Sequence, residues 1–363
     1  MTTESAKKRI RPELLAPAGS AECFYAAIDA GADAVYLGLS DFNARLRAKN
    51  FTARDLLTLV PYAHSRDVKV YVTLNTLIKQ NEIAAALNVL YQLDQIGVDA
   101  AIIADIGLMR LASTHFPKLR LHGSTQAAAH NSYGAAFLAS LGVKRAVLAR
   151  ELSLGEIRET TKNSPIETEA FVHGALCYSI SGMCLASSFI GGASGNRGRC
   201  TQVCRRRFMC KSRVDASSCI DALCSVNTSH GIDTSHSINI SSNPSVCNGY
   251  FFSPNDLEAL PFISRLAEAG VASFKIEGRM KGAEYVSTVV KAYRRVIDFP
   301  DDIKSAEKDL RFDFGRAKTA FFLDGQQGDP IDPSRPSGTG LFVGAIAGID
   351  GGGAAFTVSA RRN

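Results

Sequence analysis

The stretch GADAVYLG at residues 31–38 decides how this chain folds. A glycine able to take the left-handed conformation closes a helix, and the short run of small, branched and aromatic residues behind it reads as a buried strand. The same phrase returns as GVDAAIIA at 97–104, GVKRAVLA at 142–149 and GVASFKIEG at 270–278. Four copies of a helix stop followed by a strand describe one repeating βα unit.

Outward from these copies, strand candidates fall at 13–16, 34–38, 69–74, 100–104, 119–123, 145–149, 167–173 and 273–277. Amphipathic helical patterns fill the gaps at 21–30, 53–65, 82–96, 107–115, 132–141 and 154–162. Eight strands alternating with helices predict an α/β fold, a closed (β/α)8 TIM-like barrel, with an open doubly wound sheet as the lesser alternative. In such barrels chemistry gathers where strands run out into the following loops. The polar residues there are Asn75, Asp105, His122, Ser124, Gln126, Arg150, Glu151, His173, Glu277 and Arg279. Loop capping explains any one of them, Asn75, Asp105 and Glu151 above all. Gathered at one mouth they point to a pocket, with His122, His173, Glu277 and Arg279 as its expected functional groups.

The rhythm breaks after the seventh strand. Residues 171–204 read FVHGALCYSISGMCLASSFIGGASGNRGRCTQVC and set Cys177, Cys184, Cys200 and Cys204 among closely spaced glycines. Thiolates are soft ligands and glycines let a backbone wrap tightly, so this stretch reads as a metal nest. The spacing is not the two-residue knuckle of a zinc ribbon. Widely set thiolates in glycine-rich loops suit a 4Fe-4S cluster, with zinc as the alternative. Cys210, Cys219, Cys224 and Cys247 follow within 208–248, a Ser-, Asn- and Asp-rich stretch without a helical period, and the whole cysteine-rich insertion covers 174–252. Cys23, inside the first helical pattern, reads as a small buried hydrophobe.

Order returns with a turn and helix start at 253–256, a helical run over 257–269 and a basic amphipathic helix at 282–297 that closes the barrel. Beyond residue 300 the composition changes, and strands are expected at 312–323, 338–349 and 354–359. The chain therefore divides into a barrel, 1–300, and a small partial β-rich C-terminal domain, 301–363.

With 363 residues, 46% of them hydrophobic, the chain can bury a large core. The start, MTTESAKKRI, has no apolar run behind it, and no apolar stretch reaches spanning length. A cytoplasmic location without membrane insertion is expected. In a reducing compartment nine cysteines favour a metal over disulfides. The net charge is only +6, yet residues 196–214 carry seven basic side chains and no acidic one. Arg197, Arg199, Arg205, Arg206 and Arg207 are the expected RNA contacts; charge balance against a thiolate cluster, or a solvated loop, is the plainer account. His173 four residues before Cys177 raises a thiol protease, which the three further cysteines argue against.

The motifs ELLAPAG (13–19), GADAVYLG (31–38), FVHGALC (171–177), NRGRC (196–200), CTQVCR (200–205) and FKIEGR (274–279) resemble the collagenase-like peptidase U32 family over about residues 13–298. Despite the family name, the resemblance implies hydroxylation without molecular oxygen. One branch modifies a transfer RNA uridine or a ribosomal RNA cytidine using prephenate, and another acts on quinone precursors. VPYAHSRDVKVYVTLNT (60–76) and RAVLARELSLGEIRE (145–159) look most like the ribosomal RNA branch. By resemblance Cys177, Cys184 and Cys200 match ligands of a 4Fe-4S cluster. Cys204 matches the fourth ligand of the RNA branch, and Cys247 is the alternative in the quinone branch.

The expectation is thus an oxygen-independent RNA hydroxylase acting on a pyrimidine in ribosomal or transfer RNA with a prephenate-like carboxylate donor. Arg279 is the expected carboxylate clamp, with His122, His173 and Glu277 moving protons. The competing readings are a quinone-precursor hydroxylase, a collagenase-like peptidase and a zinc-stabilised RNA-binding module.

Overall fold

A computed structural model describes residues 11–211, 246–335, 338, 344–349 and 356–360. Strand β1 spans Glu13–Pro17, β2 Ala34–Gly38, β3 Lys69–Leu74, β4 Ala100–Ile103, β5 Leu121–Gly123, β6 Arg145–Val147 and β7 Glu167–Ala175. These seven pair in sequence order, all parallel. After the insertion strands β8 (Phe208–Lys211) and β9 (Val246–Gly249) and the short β10 (Asp256–Glu258) comes β11, Ser273–Ile276. It pairs in parallel with β1 on one side and β7 on the other, so the eight-stranded barrel closes. The fold is the TIM-like α/β barrel expected from the repeats.

The helices between strands form where the apolar period is 3.6, and side chains cap their starts. Ser20, Thr52, Asp105, Asn131 and Ser153 each accept an amide hydrogen bond in the first turn of the helix that follows. Asp105 is thus a cap, as the plainer reading of the strand ends had it. All four glycines of the repeated phrase have positive φ, between 79° at Gly97 and 94° at Gly31.

The main core lies between the strands and the surrounding helices, with Phe24, Leu37, Leu56, Leu90, Phe274 and Tyr293 among its fully buried members. Each such side chain contributes about 1.5–3 kcal/mol relative to exposure. A second cluster, Leu15, Ala34, Tyr36, Tyr71, Ala100 and Ile102, fills part of the barrel interior. Below it the interior is ionic rather than apolar. Arg145 bonds Glu167 at 2.9 Å and Glu13 at 2.5 Å, and it lies 3.4 Å from Glu169, which in turn accepts from Lys275 Nζ at 2.9 Å.

Three stretches differ from expectation. The run 257–269 is not one helix. Strand β7 outlasts its barrel partner and offers a free edge, and β10 pairs with it antiparallel, Asp256 opposite Ala175 and Glu258 opposite His173. A 3-10 turn containing Pro261 then leads into the helix Ile263–Glu268. Within 208–248, β8 and β9 pair antiparallel with Cys210 opposite Cys247. Cys219 and Cys224 lie outside the described residues.

After residue 300 the chain first forms a helix, Ile303–Leu310, with Ala306 and Leu310 buried. Of 312–323 only Lys318–Thr319 pairs as a strand. Gly344–Ile349 and Phe356–Ala360, overlapping two of the expected strands, pair antiparallel. No helix among the described residues is long and apolar enough to cross a membrane.

Candidate active site

Because strand side chains alternate, Lys275, Glu277 and Arg279 share the face of β11 and its continuation that looks into the barrel, while Phe274 and Ile276 enter the outer core. Together with Tyr36 of β2, Thr73 of β3, Ile102 of β4, Val147 of β6 and Phe171 of β7 they line a cavity at the C-terminal mouth. It encloses about 130 Å³ and opens to solvent on one side. Its roof is the cysteine loop, which contributes Cys177, Ile180, Met183, Cys184, Asn196 and Cys200.

The wall on the β11 side is cationic. Arg279 is buried, and its Nη1 donates to Thr73 Oγ1 at 3.0 Å and Asn43 Oδ1 at 3.4 Å, while its Nε has no partner among the described residues. It reaches this position because Gly38, the last residue of the opening phrase, has no side chain. A Cβ there would lie 2.7 Å from Arg279 Nη1. Glu277 pairs with Arg45 at 3.3 Å. Burial disfavours the Glu277 carboxylate, but Arg45, then Arg279 and Arg150, hold it below the usual carboxylate range. Arg279 meets only neutral oxygens by hydrogen bonding, and Arg150 and Lys275 add charge at the same cavity. A pocket with this surplus suits an anion.

The cysteine loop is tied to the barrel at several points. Glu151 binds both the amide and the hydroxyl of Ser181, the latter at 2.7 Å. Arg197 bonds Leu77 O at 2.9 Å and both oxygens of Glu82. Arg205 donates to Leu176 O at 2.7 Å, to Ser253 Oγ at 2.9 Å and to Pro254 O.

Gly182, at φ 90°, packs so closely that a Cβ would lie 2.6 Å from Gln126 O. The Asn196 side chain accepts from the Cys184 amide at 3.2 Å, and the Gln202 amide points at Cys200 Sγ, 3.4 Å away. Cys177, Cys184, Cys200 and Cys204 are all free thiols. Burial raises the Cys204 thiol above its ordinary value; Arg205 opposes this, and the charges of Cys177, Cys200 and Cys184 add to it. Among the described residues no three His, Cys, Asp or Glu side chains converge on a single metal ion.

Of the four expected pocket groups, Glu277 and Arg279 line the cavity and the two histidines do not. His122 lies inside the barrel, edge-on to Tyr71 at 4.7 Å, with neither ring nitrogen hydrogen-bonded among the described residues. Burial, then Arg145 and Arg120, push its pKa well down. His173 faces outward, where Nε2 meets Asp313 Oδ2 at 3.0 Å. Strict alternation from Glu169 and Phe171 would have turned it inward. A bulge in β7 pairs His173 with outward-facing Ile276 instead, and a one-residue slip reverses the face.

Among the expected RNA contacts, Arg197 and Arg205 are committed to the anchors just described, whereas Arg199, Arg206 and Arg207 are exposed. Cys247 has its backbone on β9, and its side chain is outside the description. The sequence reading missed Lys275 and Arg45. Lys275 was readable, two residues before Glu277 and four before Arg279 on one strand face. Arg45 sits in the 39–50 loop, where no periodicity speaks.

The family model for peptidase family U32 matches residues 19–331. A Methanocaldococcus jannaschii protein named as an uncharacterized protease is 38% identical over 86% of this chain and 73% of its own length. The Escherichia coli 23S rRNA 5-hydroxycytidine synthase is 34% identical over 93% of this chain, and a Bacillus subtilis tRNA hydroxylation protein is 34% identical over 79%. The chain spans 49% of the length of the first of these enzymes and 63% of the second. Across residues 19–331, which take in the closed barrel from β2 onward and its cysteine loop, this chain belongs to peptidase family U32.

Proposed function

We propose that this chain is an RNA-modifying enzyme that hydroxylates a pyrimidine of ribosomal or transfer RNA without molecular oxygen, in the cytoplasm. It would use a 4Fe-4S cluster on Cys177, Cys184, Cys200 and Cys204 and a prephenate-like carboxylate as donor. The observation that carries the reading is one cavity with three thiols in its roof and Arg45, Arg150, Lys275 and Arg279 in its walls. Two relatives named for RNA hydroxylation support the substrate class.

The residues fit the cluster. The four thiols are free, Cys177, Cys184 and Cys200 line one cavity, and four thiolates are the donor set of a 4Fe-4S cluster. When bound, such a cluster supplies one-electron chemistry beside the substrate. Arg279, with Nε unspent and its guanidinium fixed by Thr73 and Asn43, holds the donor carboxylate. Glu277, kept ionised by Arg45, accepts a proton at its carboxylate. Exposed Arg199, Arg206 and Arg207 favour a polyanion over an apolar quinone precursor.

The names of two relatives, a protease and a collagenase, make peptide hydrolysis the second reading. It would need a thiol activated by an imidazole, and His173 is bonded to Asp313 and Tyr293 rather than to Cys177.

The test is anaerobic purification followed by iron and acid-labile sulfide analysis, and nucleoside mass spectrometry of RNA from a deletion strain. A brown protein and the loss of one hydroxylated pyrimidine are expected. A colourless zinc protein, or an unchanged RNA profile, overturns the reading.

A further inference from the structure

Three carboxamides line the cavity, and two are spent: Asn75 accepts from the Ala44 amide at 2.9 Å and Asn196 from that of Cys184. Gln126 is not. Its side chain makes no hydrogen bond among the described residues, and its Oε1 is buried. A buried acceptor left unsatisfied is costly, so a native protein that keeps one in a pocket is poised for a ligand donor.

The mount is rigid. Ser124 Oγ accepts from the Gln126 amide at 3.3 Å, the next turn ends with Ala128 at φ 57°, and Gly182 of the cysteine loop packs against Gln126 O. The second unpaired group of the cavity, buried Arg279 Nε, comes from β11 across the mouth from the β5 loop that carries Gln126. The two ends therefore differ in chemistry, one cationic and one an open amide.

We propose that Gln126 reads the Watson–Crick edge of the target pyrimidine, Oε1 accepting from a ring or exocyclic N–H and Nε2 donating to the neighbouring acceptor. The inference rests on the RNA reading above. Cytosine and uracil both present a donor beside an acceptor on that edge, and an extruded base is read there while apolar side chains cover its faces. Ile102, Val147, Phe171, Ile180 and Met183 supply apolar surface around the same space. Ile180 and Met183 are 62% and 69% exposed at the lip, where a base would pass.

The test measures binding of the purified, cluster-loaded chain to oligocytidylate, oligouridylate and oligo-3-methyluridylate of equal length at one salt concentration. Equal charge cancels the phosphate contribution, and the N3-methyl group blocks the edge without removing the ring. The wild-type chain is expected to bind at least one unmodified oligomer about tenfold more tightly than the methylated one. Gln126→Leu is expected to abolish that preference while leaving affinity for the methylated oligomer unchanged. Gln126→Glu, which keeps length and polarity and loses the donor, is expected to lower it part way and serves if the leucine variant does not fold. A wild-type preference retained in these variants overturns the role of Gln126 and leaves the RNA reading standing, as does a wild-type chain that binds all three oligomers alike. A wild-type chain that binds none of the three removes both.

Discussion

His173 Nε2 lies 3.0 Å from Asp313 Oδ2 on the outer side of the barrel wall, so the histidine closest in sequence to the cysteine loop fastens the post-barrel segment instead of serving the cavity. Tyr293, bonded to Val172 O at 2.7 Å, holds the other side of the ring. Lys318 also pairs with Asp313. Although burial opposes it, the hydrogen bond from His173, then Lys318, holds the Asp313 carboxyl well below the carboxylate range.

Replacing His173 with Gln is expected to cost about 2 kcal/mol of stability, the order of a buried hydrogen bond lost to a charged partner. Burial pushes the His173 imidazole below its ordinary value, so the unfolded chain takes up a proton that the native chain refuses as pH falls through about 6.5. That contribution is present above this pH and lost below it. Urea midpoints should decline on acidification through the window, and His173→Gln should flatten the decline. An equally steep wild-type and variant profile would show that another group titrates.

Gly182→Ala is expected to weaken the roof of the cavity. The position combines φ 90° with a contact of 2.6 Å between the new Cβ and Gln126 O, and the strain costs about 1–3 kcal/mol. The loop must shift, so iron bound per chain should fall together with the thermal midpoint. Gly192→Ala, at φ 64° with nothing within 4 Å, is the control and should keep its iron.

The arginines of the insertion should separate into two groups by salt dependence. Arg206→Ala and Arg199→Ala remove exposed charges, and each is expected to lower the slope of log affinity for RNA against log salt by about one. Arg197→Ala should leave the slope as it is, because that guanidinium is spent on Glu82, whose pKa it holds down at about 2. Equal slopes for all three variants would mean that the rim does not carry the RNA.

Arg145→Met should destabilise the barrel by about 3–5 kcal/mol, because Glu13 and Glu169 would stay buried without their shared cation. Equilibrium urea unfolding measures it. Adding Glu169→Leu would strand Lys275 instead, so the double variant should not recover wild-type stability. Full recovery would show that the cost of losing Arg145 lies in Glu169 alone and that Lys275 needs no partner there.

Local patterns settled much of this protein. Buried runs of strand-forming residues, four of them behind glycine stops, placed β2 and β3 to the residue and the other barrel strands to within two residues at either end. The capping role of Asp105 was readable as well. Spacing along one strand brought Glu277 and Arg279 to the cavity, and the bunching of cysteines marked its roof.

What tertiary structure decided were the facts that depend on a partner far along the chain. A bulge set by pairing with β11 turned His173 outward, and a free edge of β7 made residues 256–258 a strand where the sequence read as a helix. Arg45 entered the site from a loop without period, held by Glu277, 232 residues further along the chain. Contacts to Glu82, Leu176 and Pro254 withdrew two arginines from a patch that looked uniform in sequence. Periodicity reports which face a side chain shares with its neighbours in sequence. Only closure of the barrel reports what that face meets.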